Sequence, residues 1–285
     1  MSVRQFVASA LLVALVPALS AAAPLLQWTF DEASGNALDT GDAPANDGVL
    51  TGGAVRSSNT PSGFGSSVDL RNDSPYAHVL GGDAAKLDGL SALTLTTWLN
   101  VESYTSGNHR LVAKQASGNF GGFNFSMNAA PNDGAVGPDN FKIGLFLGNN
   151  VSSGAGDFGF AYATTDVDAA NKWVMLAVTY DSSLASDNTR YYIGGVNTPV
   201  TQLGAPVTLP QLTVDGGLAR FGVGFTDAAP AANTSVIGYQ DDVRVYGSAL
   251  DLAALEAVRL EGAVPEPGAL SLAALGLAGL LLRRR

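Results

Sequence analysis

The sequence predicts an all-β protein in which two antiparallel sheets pack as a sandwich. Short runs rich in β-branched and aromatic residues recur along the chain, and turn signals such as Asp47-Gly48 and Gly121-Gly122 separate them. Only 14% of the 285 residues are charged, whereas glycine occurs 34 times, and this composition favours a loop-rich β-protein over a helical one. Pro and Gly are spread evenly and no internal repeat is visible, so a single folded domain is expected.

The strand pattern is clearest in LTLTTWLNV, residues 93–101. Leu93, Leu95 and Leu99 fall on one face of this segment, because side chains alternate along a strand. Taken in order, the other main predicted strands are residues 25–30, 120–127, 140–147, 172–180, 189–195, 218–225 and 239–246. We expect the three tryptophans of these segments in the core: Trp28, Trp98 and Trp173.

One short helix is predicted after the last strand. Asp251 stands where it can cap the segment LAALEAVRLEG. Leu252, Leu255 and Leu260 would form the apolar stripe of this helix, and Gly262 would end it.

The N-terminal segment, residues 1–23, has the three-part order of a secretory signal peptide. Arg4 supplies the positive charge, Phe6–Leu19 is apolar, and Ser20–Ala23 consists of small residues. We therefore predict export across the inner membrane.

The C-terminal segment, residues 263–285, combines a short motif, an apolar run and a basic cluster. Its motif residues are Pro265, Glu266 and Pro267, and its basic cluster is Arg283, Arg284 and Arg285. The run between them, Gly268–Leu282, is short for a transmembrane helix, which needs about 20 residues. This arrangement resembles the PEP-CTERM sorting signal. The resemblance implies a separate apolar tail helix held in the membrane, processing by an exosortase, and a place at the cell surface or in the extracellular matrix of a Gram-negative bacterium.

Four segments of the body, residues 24–262, resemble a laminin-G-like, concanavalin A-like jelly roll in their order. They are WTFDEASGNALDTGDAPANDGVLTGG, LTLTTWLNV, KWVMLAVTYD and YQDDVRVYGSALDLAALEAV. The resemblance implies a two-sheet antiparallel jelly roll. Members of this family bind sugars or proteins, or have no known ligand, so the fold by itself does not assign a function.

Five aspartates lie near the two ends of the body: Asp31, Asp39, Asp47, Asp241 and Asp242. In the resembling family the first and last strands are neighbours and often hold Ca²⁺, which implies a structural calcium site at Asp31, Asp47, Asp241 and Asp242. Asp241 alternates with Val243 and Val245, so we expect it to point toward the core, where a lone carboxylate is unfavourable. The alternative is that Asp241 accepts main-chain N–H bonds and Asp31 lies in solvent.

The composition argues against several classes of function. The net charge of −10 argues against a nucleic-acid partner, and the lack of cysteine excludes a Cys nucleophile and a Cys-ligated zinc site. His78 and His109 stand in no catalytic pattern, and the glutamates of the body are scattered rather than paired. We therefore predict a protein that is not an enzyme, with a glycoside hydrolase or lyase as the alternative on this fold.

Binding of an extracellular glycan is the favoured function. Sugar sites combine an aromatic face with Asn or Asp side chains, and the candidate residues in loop-like contexts are Tyr104, Asn108, Phe120, Phe158 and Tyr162. Since the body is acidic, a neutral glycan fits more easily than a polyanion. The alternative is a structural or adhesive matrix protein that contacts proteins or copies of itself.

Overall fold

The computed structural model describes residues 23–63, 65–72, 76–103, 108–115, 121–128, 140–149, 157–224 and 236–263. Residues 1–22 of the predicted signal peptide and residues 264–285 of the sorting tail, with its predicted helix, lie outside these ranges. Within them the chain forms fifteen strands, one turn of 3₁₀ helix at Ala85–Leu87 and one α-helix, α1 (Leu252–Ala263).

The strands are short at the start of the chain and longer in its middle. They are β1 (Leu26–Trp28), β2 (Val49–Thr51), β3 (Val55–Ser57), β4 (Ser67–Asp69), β5 (His78–Asp83), β6 (Ala92–Ser103), β7 (Asn108–Lys114), β8 (Gly121–Asn128), β9 (Lys142–Asn149), β10 (Phe158–Tyr162), β11 (Val174–Asp181), β12 (Thr189–Gly195), β13 (Thr201–Gln202), β14 (Arg220–Val223) and β15 (Ile237–Tyr246).

The described strands form two sheets whose strand pairs are all antiparallel. Eight strands make one sheet in the order β13-β12-β11-β6-β15-β4-β3, and β1 also pairs with β15. Seven strands make the other in the order β10-β9-β8-β7-β14-β5-β2. Neighbours such as β6 and β15 are far apart in sequence, which is the crossover connectivity of a jelly roll. The predicted two-sheet antiparallel jelly roll is confirmed.

The main core lies between the sheets. The expected inward face of β6 is confirmed, because Leu93, Leu95 and Leu99 are fully buried there. Trp28 packs edge-to-face on Phe221 of β14, with ring centroids 4.8 Å apart. Its indole Nε1 donates to the main-chain oxygen of Asn46 at 2.9 Å, which satisfies the polar atom of a buried tryptophan.

A second apolar cluster lies between the eight-stranded sheet and α1. Trp98 on the outer face of β6 and Tyr246 on β15 pack there against Leu255 and Val258 of the helix. Trp98 is therefore buried as expected, but beneath α1 rather than between the sheets. The core expectation for Trp173 is wrong: it is half-buried just before β11, and its Nε1 donates to Asn59 Oδ1 at 3.0 Å.

Helix α1 begins as predicted, because Asp251 Oδ1 accepts the Ala254 N–H at 2.8 Å. The predicted apolar stripe is wrong in part, since Leu252 and Leu260 are 48% and 44% exposed. Val258 takes their place beside Leu255 in the buried cluster, because these positions are three residues apart and share a helix face. No helix in the described part of the chain is long and apolar enough to cross a membrane.

Candidate glycan-binding face

One outward sheet face gathers aromatic, amide and cationic side chains. It belongs to β7, β8, β9 and β10, which are consecutive in the seven-stranded sheet. Phe125 and Met127 of β8 are buried in the core, so Ser126 between them points away from it, and the strand register carries this orientation across the sheet. We name this surface the β7–β10 face. Apart from glycines, its described outward residues are Asn108, Arg110, Ala113, Asn124, Ser126, Asn128, Lys142, Phe146, Phe158, Phe160 and Tyr162.

Four aromatic rings lie toward the free edge of this face. Phe146 stacks on Phe158 with ring centroids 6.1 Å apart, and Phe160 meets Tyr162 edge-to-face at 4.4 Å. Gly144 of β9 leaves room for the second pair, because a β-carbon there would lie only 2.8 Å from the Phe160 ring and 2.9 Å from the Tyr162 ring. Phe160 is 39% exposed, so aromatic surface reaches solvent.

Polar groups lie beside the rings. Asn128 Nδ2 donates to the Tyr162 hydroxyl at 2.7 Å. Arg110 lies opposite Ser126 and donates from Nη1 to the main-chain oxygen of Asn108 at 3.1 Å. Burial lowers the pKa of Arg110 to about 10, which leaves its guanidinium charged at neutral pH. Ser126 is fully buried, and its hydroxyl has no hydrogen-bond partner among the described residues.

Three of the five ligand-binding residues predicted from the sequence meet on this face. Asn108 on β7 and Phe158 and Tyr162 on β10 all point outward, although loop positions were expected for them. Tyr104 and Phe120 lie outside the described residues. Three further outward residues of the face, Arg110, Asn124 and Phe160, were not predicted from the sequence. The alternation of segment 120–127, with Phe inward and Asn or Ser outward, is a signal that could have found Asn124.

Near the first strand, Asp39 and Asp47 build a loop. Asp39 has a fully buried carboxylate that accepts the main-chain N–H groups of Gln27 and Asn46 at 3.0 and 2.9 Å. Lys86 Nζ pairs with the same carboxylate at 2.6 Å. Asp47 is exposed, and its Oδ1 accepts the Asp39 N–H at 2.9 Å. Both carboxylates therefore have hydrogen-bond donors within the chain itself.

The expected orientation of Asp241 is wrong. A β-bulge lies between Asp241 and Arg244, and it breaks the alternation that would place Asp241 with Val243 and Val245. Those valines lie in the core between the sheets. Asp241 lies opposite Trp98, whose side chain is part of the cluster beneath α1.

Asp241 is nevertheless buried, with 8% of its surface exposed. Burial raises its pKa well above the usual range, and the neighbouring charges of Asp242 and Asp31 raise it further. Its Oδ1 accepts the main-chain N–H of Asp242 at 2.8 Å. Asp242 Oδ1 in turn accepts from Gln27 Nε2 at 3.0 Å and from Arg244 Nε at 2.8 Å.

The described residues contain no group of three or more His, Asp or Glu side chains placed to hold a metal ion. Asp31 is exposed and accepts the Ser66 N–H at 2.8 Å, and Arg244 already neutralises Asp242. Since Ca²⁺ takes about six to eight oxygen ligands, these carboxylates do not by themselves fit the ion. Calcium between the first and last strands stays a prediction.

The family model of the concanavalin A-like lectin/glucanases superfamily matches residues 72–255. The chain belongs to this superfamily. No curated protein sequence matches it.

Several solved structures have the same fold as this chain but low sequence identity to it. Domain 4 of AbnA, a GH43 extracellular arabinanase from Geobacillus stearothermophilus solved with arabinotriose, has a TM-score of 0.55 at 13% identity, over 84% of this chain and 100% of that one. The binding domain of botulinum neurotoxin serotype G has a TM-score of 0.54 at 9% identity, over 84% of this chain and 51% of that one. The Trypanosoma rangeli sialidase bound to 2,3-difluoro-KDN has a TM-score of 0.53 at 12% identity, over 88% of this chain and 36% of that one. These likenesses show the fold alone, and this chain spans only half of the neurotoxin domain and about a third of the sialidase.

Residues 263–285 match the PEP-CTERM protein-sorting motif, which confirms the resemblance noted in the tail. The motif implies processing by an exosortase, export, and a surface or extracellular location in a Gram-negative bacterium. This member of the superfamily is therefore an exported protein with a lectin-like jelly-roll domain.

Proposed function

We propose that the protein is a non-enzymatic glycan-binding protein of the extracellular polysaccharide or biofilm matrix. The observation that carries this proposal is the β7–β10 face, where partly exposed aromatic rings adjoin amide and guanidinium groups on one rigid sheet surface. The C–H faces of a sugar ring pack on aromatic rings, while its hydroxyls exchange hydrogen bonds with amide and hydroxyl side chains.

The position of the face on a sheet supports this function. Side chains on paired strands are held in a fixed register, so the aromatic and polar groups are preorganised and little conformational freedom is lost on binding. The AbnA domain, whose structure was solved with arabinotriose, is an example of this fold in contact with a sugar. At 13% identity it supports the class of ligand but assigns no residue of this chain.

The two alternatives require other features. A glycoside hydrolase on this face would need two carboxyl groups about 5–9.5 Å apart, and none of the outward residues described on the β7–β10 face is Asp or Glu. An adhesive matrix protein would need a contiguous apolar patch. Several of the exposed large apolar residues in the described chain lie on different elements, such as Val55 on β3, Leu252 on α1 and Leu218 before β14.

A glycan array probed with the purified protein tests the proposal. We expect saturable binding to at least one oligosaccharide, and at least a tenfold loss for Phe160→Ser, because this change removes the exposed ring of the face. Leu218→Ser is the matched control, since Leu218 is 86% exposed and lies outside the face. An array without any bound glycan, or equal binding by Phe160→Ser and the unmodified protein, would overturn the proposal.

The location in the matrix has its own test. Replacing Pro265, Glu266 and Pro267 together by alanine removes the sorting motif and leaves the body unchanged. Fractionation of cells that express the two forms is expected to find the unmodified protein at the surface or in the medium, and the triple variant retained with the cell membranes. Equal release of both forms would contradict sorting through this motif.

A further inference from the structure

Arg110 is the cationic centre of the β7–β10 face. It begins a row of paired residues that crosses the sheet through Ser126 of β8 and Gly144 of β9 to Tyr162 of β10. Strands in a sheet are spaced about 4.8 Å apart, so three spacings place the ends of this row about 14 Å apart at the backbone. The rings of Phe160 and Tyr162 lean over Gly144 and shorten the gap to Arg110. The register therefore places Arg110 and the aromatic rings on the same sheet face, on either side of Ser126.

Within the described residues, the hydrogen bonds of Arg110 go to neutral acceptors only. Nη1 donates to the main-chain oxygen of Asn108 at 3.1 Å. When the Asn124 amide is oriented with its oxygen toward Arg110, that oxygen accepts from Nε at 2.8 Å. Both acceptors are neutral, and no Asp or Glu among the described residues forms an ion pair with Arg110. A guanidinium has five N–H donors in a planar fork, so donors remain for a further acceptor.

Two arginines in other parts of the fold, the half-buried Arg56 and the buried Arg244, have carboxylate partners. Arg56 pairs with Glu32 at 2.6 Å, and Arg244 pairs with Asp242 at 2.8 Å. Arg110 differs because it loses hydration without gaining a carboxylate partner among the described residues, and this loss of hydration costs free energy. An anion that arrives with a ligand would recover this cost, and a carboxylate matches the guanidinium fork with two parallel hydrogen bonds.

Two residues next to Arg110 on this face carry polar atoms without a hydrogen-bond partner among the described residues. The Ser126 hydroxyl and Asn108 Oδ1 are buried and have no hydrogen-bond partner within the described chain. Ser126, itself fully buried, points outward between Arg110 and the aromatic rings. A hydroxyl can both donate and accept, and an amide oxygen accepts, so these atoms suit the hydroxyls of a sugar rather than a purely apolar ligand.

We infer that the β7–β10 face selects an acidic sugar residue, in which Arg110 binds the carboxylate and Phe160 and Tyr162 pack against the sugar ring. This inference rests on the proposed glycan-binding function and narrows it to sugars that carry a carboxylate, such as uronic acids. It differs from the neutral glycan that the acidic composition favours. The net charge of −10 opposes a dense polyanion at long range, but the Debye length of about 10 Å at 0.1 M salt lets one local pair act independently of the overall charge.

Two matched probes test the inference by isothermal titration calorimetry. One is trigalacturonic acid, and the other is the same trisaccharide with its carboxyl groups reduced to hydroxymethyl groups. We expect the acidic trisaccharide to bind at least tenfold more tightly than the reduced one. Arg110→Gln should remove this preference, whereas Arg190→Gln, a half-buried arginine on the other sheet, should keep it. Phe160→Ser should weaken both probes to a similar extent.

A second variant separates loss of the guanidinium group from loss of the folded structure. Arg110→Lys keeps the charge but loses the planar fork, so an intermediate preference for the acid is expected from a protein whose melting temperature is unchanged. Equal affinity of the two probes, or the same preference in Arg110→Gln, would overturn the inference while leaving glycan binding intact. No binding of either probe would also overturn it. The proposed function fails separately, when no glycan of the array binds or Phe160→Ser binds as before.

Discussion

Asp241 lies directly opposite Trp98 across the β6–β15 pair, on the sheet face that carries the cluster under α1. The β-bulge that follows Asp241 turns this carboxylate away from the core between the sheets and leaves it buried all the same. Desolvation, with the charges of Asp242 and Asp31, therefore raises its pKa well above the usual range. This placement predicts that the stability of the protein depends on the protonation of Asp241.

Asp241→Asn is expected to stabilise the protein at pH 8 in the presence of EDTA. The pKa of Asp241 is higher in the folded protein than in the unfolded chain, so its contribution to stability is full below the unfolded value of about 3.9 and is lost as the pH rises through the folded value. Asparagine carries no charge at any pH. Thermal unfolding at pH 5 and pH 8 measures the difference, which should grow toward pH 8. Asp187→Asn, at an exposed turn, should show no such trend.

Thermal unfolding also tests whether the protein binds Ca²⁺. If Ca²⁺ binds between the first and last strands, adding the ion raises the melting temperature, because a ligand bound only by the folded state stabilises it. Asp31→Ala and Asp241→Ala should then remove the rise, and Asp187→Asn should keep it. An unchanged melting temperature in millimolar Ca²⁺ would remove the calcium prediction. Protonation of Asp241 and its hydrogen bond to the Asp242 N–H would then account for the buried carboxylate.

Asp251→Ala should destabilise the protein by about 1 kcal/mol, the usual effect of losing a helix N-cap. Its Oδ1 accepts the Ala254 N–H, which has no partner within the first turn otherwise. Chemical denaturation gives the free energy of unfolding. Asp251→Asn is the matched control, because asparagine caps a helix about as well as aspartate does. Equal losses in both variants would show that the charge, not the cap, is what α1 needs.

Lys114→Met should destabilise the protein by about 3 kcal/mol, the lower end of the range for a broken buried ion pair. Lys114 is fully buried, and its Nζ contacts Asp88 Oδ2 at 2.6 Å and Asp83 Oδ1 at 3.1 Å. The carboxylates are partly exposed, so water compensates some of the loss. Lys172→Met is the control, since its pair with Asp168 is exposed and worth about 0–1 kcal/mol. Similar losses in the two variants would contradict a structural role for the buried pair.

Part of the candidate site could be read from the sequence. The patterns of Asn108, Phe158 and Tyr162 indicated aromatic and amide groups suited to a sugar, but placed them in loops. Their meeting on one face depends on the pairing of β7 with β8, β8 with β9, and β9 with β10. Arg110 was overlooked because an arginine in a short strand is ordinarily a solvated surface residue. Its buried guanidinium, which has no carboxylate partner in the described part of the chain, depends on its neighbours in the fold.

The sequence by itself determined the class of fold, the inward face of β6, the cap of α1 and the sorting tail. Each of these is set by residues close together in the chain: the period of two in a strand, one side chain at a helix start, or a contiguous motif. The tertiary structure decided which sheet face carries the rings and Arg110, and which way Asp241 points. A bulge of one residue reverses the side of the sheet on which a side chain lies, and strand partners far apart in sequence set its surroundings. Neither is encoded in a local pattern.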